Sequence, residues 1–332
     1  KIAFLDVGHG DSIVLTMTDK KGLNRAIIVD SGNYLKTKKY VINNNIDIID
    51  YIIITHFHTD HYRGINALID SLTNNGIVIK NICWEKDKVY REPEEQMTYV
   101  NFTRKLLDNH LKLDIGCMVK RFNGTDYIKL SIDDVDDVDI NIVYPNNFAA
   151  NSFSDKNINN TSTVLRIEYK NKKIMLPGDL EGEGWNILNN YLKDLKCDIL
   201  KMPHHGDYFG STDGVLSTAQ IIRETNPKFA VISTGKNDIY KHPDKKTIEY
   251  LKDSDITVLC TQVTNLCDRD RINKRECIVN KLQFDTKRYN KDWCPCIGDI
   301  IFEINDDIKL IPYTYDNVKD IKRIFDTPKC IK

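Results

Sequence analysis

The chain has 332 residues, and its 47 basic and 48 acidic side chains nearly cancel. This balance excludes a strong overall attraction to nucleic acid or to an anionic membrane, although a local basic groove stays open. No apolar run approaches the roughly 20 residues that a membrane-spanning helix needs, and the first residues read as a core strand rather than a signal peptide. We therefore expect a cytoplasmic protein without a membrane segment.

Apolar strand patterns alternate with helical patterns along the chain. The predicted strands cover residues 2–7, 12–17, 26–30, 51–55, 163–169, 173–176, 198–202 and 229–233. The predicted helices cover residues 64–72, 98–113, 183–192 and 243–252. This alternation predicts an α/β protein whose helices cover the faces of a sheet. An Asn- and Ser-rich stretch, residues 146–161, reads as a long loop.

The first chemical motif directly follows the apolar run 51–54, where three histidines and a carboxylate lie between His56 and His61. His56 and His58 are two positions apart, so on an extended chain both rings project from one face. Asp60 and His61 then turn over the start of the next helix and offer an oxygen and a nitrogen to a second ion. This donor set suits zinc and similar ions. A His-rich surface loop is the weaker interpretation, because the chain has only eight histidines.

Two later segments add candidate ligands. Asp179 ends a predicted strand in Pro-Gly-Asp, where its carboxylate can bridge two ions with one oxygen to each; a helix N-cap is the alternative role. His204 and His205 follow the predicted strand 198–202. Adjacent side chains point apart, so one histidine would face a metal ion and the other would bind substrate or donate a proton. A purely structural histidine pair is the alternative.

Together these motifs resemble the metallo-β-lactamase superfamily, and more narrowly the hydrolase domain of the ComEC-type DNA-uptake proteins and their free-standing relatives. The segments that carry the resemblance are, in order, residues 4–12 (FLDVGHGDS), 29–32 (VDSG), 56–61 (HFHTDH), 177–179 (PGD), 202–206 (MPHHG) and 241–243 (KHP). The resemblance covers roughly residues 1–300 and implies an αββα sandwich with a dimetal site at one edge.

The resemblance also implies a division of the ligands between two metal ions. His56 and His58 would hold one ion, and Asp60 and His61 the other. Asp179 would bridge the pair. His204, in preference to His205, would complete the second site.

One departure from the family pattern concerns the first metal ion. The lactamase and glyoxalase branches have a further histidine between the first cluster and the bridging aspartate. Here the interval contains only His110, which lies in a helical pattern and reads as a surface residue. The aligned segment instead contains Asn160, which becomes a candidate substrate residue. Fewer nitrogen ligands leave zinc and manganese both open as the working ion, and count against β-lactam and glutathione-thioester substrates.

The implied chemistry follows from charge. Two ions about 4 Å apart would hold a bridging hydroxide near neutral pH and neutralise the oxygens of a phosphorus centre under in-line attack. Three side chains are the candidate catalytic residues, namely Asp60, His205 and His242. By resemblance, a glycine-flanked turn faces the metal ions and is a candidate substrate loop through His9, Asp11 and Ser12. The alternative for His242 is a helix-start residue without a catalytic role, and the alternative for Asp11 is an ordinary turn residue.

The C-terminal region carries a group of cysteines. A closed structural zinc site can be built from Cys260, Cys267, Cys294 and Cys296. The spacing is not a standard zinc pattern, so reduced or disulfide-linked cysteines are an equal alternative. We predict a hydrolase domain over residues 1–258 and a Cys-rich extension packed on it over residues 259–332.

The sequence thus predicts a metal-dependent phosphodiester hydrolase, either a nuclease or a nucleotide phosphodiesterase, acting on a nucleic acid or nucleotide substrate. One alternative is hydrolysis of another ester, such as a phosphorylcholine ester or a lactone. A second alternative is an effector subunit that is active only with a partner protein. The substrate in each case rests on fold-level analogy.

Overall fold

A computed structural model describes residues 1–84, 93–113, 116–118, 126–153, 157–235, 240–264, 266–267, 295–311 and 318. The strands are β1 (Ile2–Phe4), β2 (Ile13–Thr18), β3 (Asn24–Val29), β4 (Ile48–Ile54), β5 (Val78–Ile79), β6 (Asn81–Trp84), β7 (Gly116–Met118), β8 (Ile128–Leu130), β9 (Val138–Tyr144), β10 (Val164–Tyr169), β11 (Lys172–Leu176), β12 (Ile199–Lys201), β13 (Phe229–Ile232), β14 (Thr257–Cys260), β15 (Ile300–Ile304) and β16 (Ile308–Ile311). The helices are α1 (Tyr34–Asn43), α2 (Thr59–Tyr62), α3 (Ile65–Thr73), α4 (Pro93–Lys112), α5 (Asn147–Phe153), α6 (Gly182–Tyr191), α7 (Thr218–Thr225) and α8 (Lys245–Asp253).

The described strands form two mixed sheets. The first has the order β16-β15-β1-β2-β3-β4-β6-β7, with β5 also paired to β4. The second has the order β14-β13-β12-β11-β10-β9-β8. Together with the helices, these sheets make the predicted α/β sandwich. No helix among the described residues is both long and apolar enough to cross a bilayer.

Alternation along the strands of the first sheet builds two separate cores. Ile2 and Phe4 of β1 pack in the core shared with the second sheet, while Ala3 between them packs in the other core, against the helices. Successive side chains of a strand point to opposite faces, so a strand that is apolar at every position is covered on both sides. Helices α1, α3 and α4 provide the outer cover through Val41, Leu68 and Leu106 among others.

The C-terminal strands belong to the sandwich. β15 pairs antiparallel with β1, with Ile2 opposite Phe302, and the Phe302 ring lies against Phe4 with its centroid 6.3 Å away. The predicted boundary after residue 258 also falls within β14. Residues 300–311 therefore complete the first sheet, because their apolar side chains fill the shared core. The rest of the predicted extension, residues 268–294 and most of 312–332, lies outside the described residues.

The functional motifs lie on loops that leave the carboxyl ends of strands. The segment 56–61 follows β4, Asp179 follows β11, and the histidine pair 204–205 follows β12. β11, β12 and β13 run parallel, so their carboxyl ends meet at one edge of the second sheet. The topology brings motifs that are more than a hundred residues apart to this edge.

Candidate metal centre

The carboxylate of Asp179 lies at the middle of a group of histidines, and the residue is 2% exposed. Its Oδ2 atom faces nitrogen atoms from both ends of the sequence. The Nε2 distances to this oxygen are 3.9 Å for His56, 3.2 Å for His61, 4.0 Å for His204 and 3.3 Å for His205. One oxygen therefore sits within reach of four imidazoles.

A first donor group lies on the side of His56. Nε2 of His56 and Nδ1 of His58 are 3.1 Å apart, and Nδ1 of His56 lies 3.1 Å from the Thr55 hydroxyl. Zinc–nitrogen bonds are about 2.1 Å long, so two nitrogens that share one ion lie about 3–3.5 Å apart. The separation of these two nitrogens fits a shared ion, with Asp179 as the third donor.

A second donor group lies on the side of Asp60. Its Oδ2 is 3.3 Å from Nε2 of His205 and 3.7 Å from Nε2 of His61. Both histidine nitrogens are also those that face Asp179. This arrangement places Asp60, His61, His205 and Asp179 around one point.

The nitrogens of this second group have the hydrogen-bond state expected of ligands. Nε2 of His61 and Nε2 of His205 are buried and, within the described residues, have no hydrogen-bond partner of good geometry. Buried polar atoms are nearly always satisfied, so each exception calls for an explanation such as an ion. Four imidazoles and two carboxylates around a buried point are suited to a pair of divalent transition ions.

The comparison with known families agrees with this geometry. Residues 5–140 match the model described as the metallo-beta-lactamase superfamily. This match assigns residues 5–140 to a metallo-β-lactamase superfamily domain. The matched segment includes the whole His56–His61 cluster, and the αββα sandwich is the fold that the resemblance implied.

Two curated relatives and one solved structure are similar to this chain. ComE operon protein 3 of Bacillus subtilis is 25% identical over 283 residues, covering 79% of this chain and 32% of the relative. Competence protein ComA of Neisseria gonorrhoeae is 23% identical over 266 residues, covering 78% and 30%. The chain thus spans about a third of the length of these relatives. The metallo-β-lactamase fold protein YhfI of Bacillus subtilis is 12% identical, with a TM-score of 0.43 over 78% of this chain and 95% of that one.

Asp30 orients one ligand of the metallo-β-lactamase site from behind. Its Oδ2 lies 2.7 Å from Nδ1 of His61. The same carboxylate accepts hydrogen bonds from the backbone N–H of Thr55 at 2.8 Å and from its hydroxyl at 2.6 Å. A carboxylate bound to the far nitrogen of a histidine ligand fixes the ring and its tautomer. These contacts place Asp30 to orient the ring of His61.

Removing the charge of Asp30 is expected to weaken metal binding. Asp30→Asn keeps the size of the side chain but loses the carboxylate that fixes His61, so the affinity for the second ion should fall about 10- to 100-fold. Competition against a chromophoric chelator measures this. Asp70→Asn removes an exposed carboxylate, 44% accessible, and serves as the control. Equal affinities in the two variants would contradict the role of Asp30.

Lys201 is a site residue that the sequence interpretation missed. Its side chain is 0% exposed, and its ammonium contacts Oδ2 of Asp11 at 2.6 Å and Oδ1 of Asp179 at 3.1 Å. It also donates to the backbone carbonyl of Gly178 at 2.8 Å. Burial opposes the charged form, but Asp11 and Asp179 outweigh it and raise the pKa of Lys201 above its ordinary value. The signal in the sequence was a charged residue inside an apolar strand.

The histidine pair takes an unusual backbone path that separates its two rings. His204 and His205 both have positive φ, 45° and 52°, a conformation that costs energy for residues other than glycine and often marks functional sites. Nδ1 of His205 lies 3.0 Å from the Ser233 carbonyl oxygen, which directs its Nε2 to the buried carboxylates. His204 instead lies at the rim, with Nδ1 3.4 Å from Glu181 and 3.6 Å from Asp207.

His242 joins His204 at this rim. The two ring centroids are 4.9 Å apart, and Nδ1 of His242 lies 3.7 Å from Oδ1 of Asp207. Burial, followed by the neighbouring histidines, lowers the pKa of His242 to about 3. His242, which the sequence suggested as a catalytic residue, therefore lies beside the candidate metal centre. Asp207, which the sequence interpretation did not single out, lies there as well.

The four predicted substrate residues are placed differently from one another. His9 reaches the site, with Nε2 3.3 Å from Oδ2 of Asp60. Asp11 is buried on Lys201, and the Ser12 hydroxyl lies 2.8 Å from that of Thr37 inside the fold. Asp11 and Ser12 face the interior because the glycine-flanked residues 9–12 turn back into the sheet. Of these three turn residues, only His9 reaches the donor groups, where it is placed to contact substrate.

Asn160 does not face substrate either. Asn160 is buried, and its side-chain oxygen accepts hydrogen bonds from the backbone N–H groups of Glu181 at 3.1 Å and Gly184 at 3.2 Å. These donors belong to the first turn of α6, whose N–H groups need partners. The substrate role predicted for Asn160 is therefore replaced by a structural one. His110, half-buried on α4, is likewise outside the ligand groups described above.

Two glycines let the loops close around Asp60. A Cβ atom on Gly10 would lie 2.3 Å from the Asp60 carbonyl oxygen, and one on Gly32 would lie 2.4 Å from it. Neither separation is possible for real atoms, so both positions need glycine. These contacts fix the backbone that carries Asp60.

The cysteine group is only partly described. Cys260 ends β14, and its carbonyl accepts a hydrogen bond from Ile297 at 3.2 Å, while Cys296 donates from its backbone N–H to Thr261 at 3.0 Å. Two members of the predicted zinc group thus lie on adjacent, buried backbone segments. Cys267 is half-buried, and Cys294 lies outside the described residues.

The charges of the ion-free site make metal binding depend on pH. Burial opposes protonation of His61 and His205, but the surrounding carboxylates, led by Asp179, outweigh it. They raise the pKa of His61 well above its ordinary value and that of His205 to about 9. Without bound ions the surrounding carboxylates therefore favour the protonated form of both imidazoles, whereas a ligand imidazole must be neutral.

Binding of cations should consequently release protons. At pH 7 we expect about two protons per chain, one from each of these histidines. Calorimetric titration with Mn²⁺ in two buffers of different ionisation enthalpy measures the number. The observed heat should depend on the buffer, and affinity should rise as the pH approaches the His205 pKa of about 9. A heat independent of buffer would contradict the expectation.

The same pKa shift affects the stability of the ion-free protein. A folded-state pKa of about 9 for His205 lies above the ordinary value of 6.5. The attraction between protonated His205 and the surrounding carboxylates therefore adds to the free energy of unfolding. This contribution is fully present below pH 6.5 and is lost as the pH rises through about 9.

Proposed function

We propose that the protein is a metal-dependent phosphodiester hydrolase, a nuclease or a nucleotide phosphodiesterase. The observation that carries the proposal is the position of Asp179, whose Oδ2 faces histidines of both donor groups. One ion would be held by His56, His58 and Asp179. The other would be held by Asp60, His61, His205 and Asp179.

This assignment exchanges the two adjacent histidines relative to the sequence-based expectation. His205 approaches both carboxylates at 3.3 Å, whereas His204 lies 4.0 Å from Asp179 and 3.6 Å or less from two acidic groups at the rim. The sequence-based expectation would hold for an extended backbone, in which adjacent side chains point to opposite sides. The left-handed turn at both residues changes which ring points inward.

A pair of divalent cations, when bound, supplies Lewis acidity that lowers the pKa of water and neutralises charge on phosphate oxygens. The chain's own contribution is to bind that pair, to exclude bulk water by burying the ligands, and to supply a proton. His204 is placed to donate a proton toward a leaving oxygen, and Asp207, 3.6 Å from Nδ1 of His204 and 3.7 Å from Nδ1 of His242, holds both rings in position. Because its pKa is lowered to about 3, His242 is suited to accept a hydrogen bond rather than to donate a proton. Asp60 would contribute to catalysis as a ligand of the second ion.

Side chains around the rim support a nucleic acid or nucleotide substrate. The exposed Tyr240 ring lies parallel to that of His242, with centroids 6.0 Å apart. The Lys246 ammonium lies 4.6 Å from the centroid of Tyr208, the residue after Asp207. Bases stack on aromatic rings and phosphates are attracted to lysines. The curated relatives are named as a ComE operon protein and a competence protein, and the resemblance to DNA-uptake hydrolases points to the same substrate class.

Parallel assays of two ester classes test this function. The purified chain, stripped with EDTA and reloaded with Mn²⁺ or Zn²⁺, is given bis(p-nitrophenyl) phosphate, DNA and a panel of carboxyl esters and lactones. We expect kcat/KM for the phosphodiester to exceed that for the carboxyl esters by about 100-fold or more. The opposite order would refute the proposal in favour of another ester. A fully metal-loaded but inert chain would refute it in favour of an effector subunit that needs a partner protein.

Counting bound metal in the protein as purified, before treatment with EDTA, tests the cysteine group. We propose two ions for the catalytic pair, and a third, zinc, only if the cysteines form a structural site. Elemental analysis of the purified protein distinguishes the two counts.

A further inference from the structure

The two oxygens of the Asp179 carboxylate have separate partners. Oδ1 lies 3.1 Å from the Lys201 ammonium, whereas the contacts of Asp179 with His56, His61, His204 and His205 all involve Oδ2. From the sequence, one oxygen was expected to bind each ion. With Oδ1 on a lysine, only Oδ2 is directed to the two donor groups.

The position of Lys201 is fixed from three directions. Its ammonium contacts Asp11 at 2.6 Å, Asp179 at 3.1 Å and the Gly178 carbonyl at 2.8 Å. An ammonium has three N–H donors, so all three are used. The Gly178 contact ties the lysine to the same turn that carries Asp179, which leaves the carboxylate little freedom to rotate.

Asp11 extends this arrangement to the second donor group. Its Oδ2 lies 3.8 Å from Nδ1 of His61, and its Oδ1 lies 3.9 Å from Nδ1 of His205. The buried lysine therefore joins the loop after β1 to the turn after β11, on the side of the site away from solvent.

We propose that Lys201 is a positioning residue that holds Oδ1 of Asp179, so that Oδ2 alone is presented as the oxygen shared by two cations. This inference rests on the proposed metal site and goes beyond it, since it assigns the geometry of the bridge to a residue that binds no ion. The competing explanation is that Lys201 only balances the buried charge of Asp11 and Asp179.

A pair of variants separates positioning from charge balance. Lys201→Met alone leaves two buried carboxylates without their cation, which destabilises the fold. The double variant Lys201→Met with Asp11→Asn removes one positive and one negative charge, so the buried net charge equals that of the wild type. Asp11→Asn alone keeps the contact between Lys201 and Asp179 and serves as the matched control.

Manganese binding is the measurement, and it does not depend on activity. Electron paramagnetic resonance of the Mn²⁺-loaded proteins reports whether two ions share a bridge, and titration of the same signal gives the affinity for the second ion. The wild type and Asp11→Asn should show the spin-coupled signal of a pair. In the double variant we expect the affinity for the second ion to fall about tenfold or more, the range seen when groups that orient ligands are removed, with a changed coupling.

Two results would overturn the proposal. One is a folded double variant with the wild-type coupling and affinity, which would leave Lys201 with charge balance only. The other, which needs no variant, is a Mn²⁺-loaded wild-type structure in which both oxygens of Asp179 bind ions and Lys201 has left Oδ1. A chain that shows the coupled pair but hydrolyses no phosphodiester would instead refute the proposed function and leave the role of Lys201 standing.

Discussion

Replacing Asp179 by alanine is expected to abolish hydrolysis of phosphodiesters while leaving the fold intact. Its Oδ2 is the atom that both donor groups share, so its loss removes a ligand from each proposed ion at once. Several kcal/mol of transition-state stabilisation depend on the ion pair, and kcat/KM should fall by about 1,000-fold or more. His58→Ala, which removes a ligand from the first group, should have an effect of the same kind.

The measurement is kcat/KM after chelation and controlled readdition of Mn²⁺ or Zn²⁺, with the thermal midpoint as the test of folding. Asp179→Asn is the informative companion, because its amide oxygen can still accept from Lys201 while the charge is lost. We expect it to fold as well as the wild type and to be nearly as inactive as Asp179→Ala. Wild-type activity in both Asp179→Ala and His58→Ala would contradict the mechanism.

The second large effect on activity is expected from the variant of the histidine that binds metal, which the structure indicates is His205 rather than His204. His205→Ala removes a buried ligand of the second ion, and we expect the loss of that ion together with a fall in kcat/KM of about 1,000-fold. His204→Ala removes a rim residue, so both ions should stay bound. Its kcat should fall by about 100-fold if His204 donates a proton, because general acid catalysis contributes about 10²- to 10⁴-fold.

Each histidine variant is the control for the other, since the two differ by one position and by the same side-chain deletion. Elemental analysis gives the metal count, and the pH profile of kcat shows whether the basic or acidic limb is lost. If His204→Ala lost the second ion and His205→Ala kept it, the assignment from the structure would be wrong and that from sequence correct.

The sandwich was largely predictable because its core strands are either short apolar runs, as in β13 (Phe229–Ile232), or alternate apolar with polar residues, as in β10 (Val164–Tyr169). Predicted strands at 163–169 and 173–176 correspond to β10, Val164–Tyr169, and β11, Lys172–Leu176. The shorter strands, such as β5 with two residues, were not predicted, since so short a segment has no measurable period. β15 and β16 were assigned to an extension, because sequence separation hides the pairing of Ile2 with Phe302.

The candidate ligands of the first cluster could also be proposed from the sequence, because the spacing of His56, His58 and His61 has few other interpretations. The spacing did not indicate which side chains point into the site. The inward ring at residues 204–205 depends on two consecutive left-handed residues, and the inward turn of Asp11 depends on a lysine 190 positions away. Long-range ion pairs of this kind leave no periodic pattern in a sequence, which is why Lys201 was missed.

Anomalous diffraction from crystals soaked in Mn²⁺ or Zn²⁺ shows whether Asp179 lies between two cations. We expect two peaks about 3.5–4 Å apart, one beside His56 and His58 and the other beside Asp60, His61 and His205, with Oδ2 of Asp179 between them. A single peak, or two peaks away from this carboxylate, would contradict it.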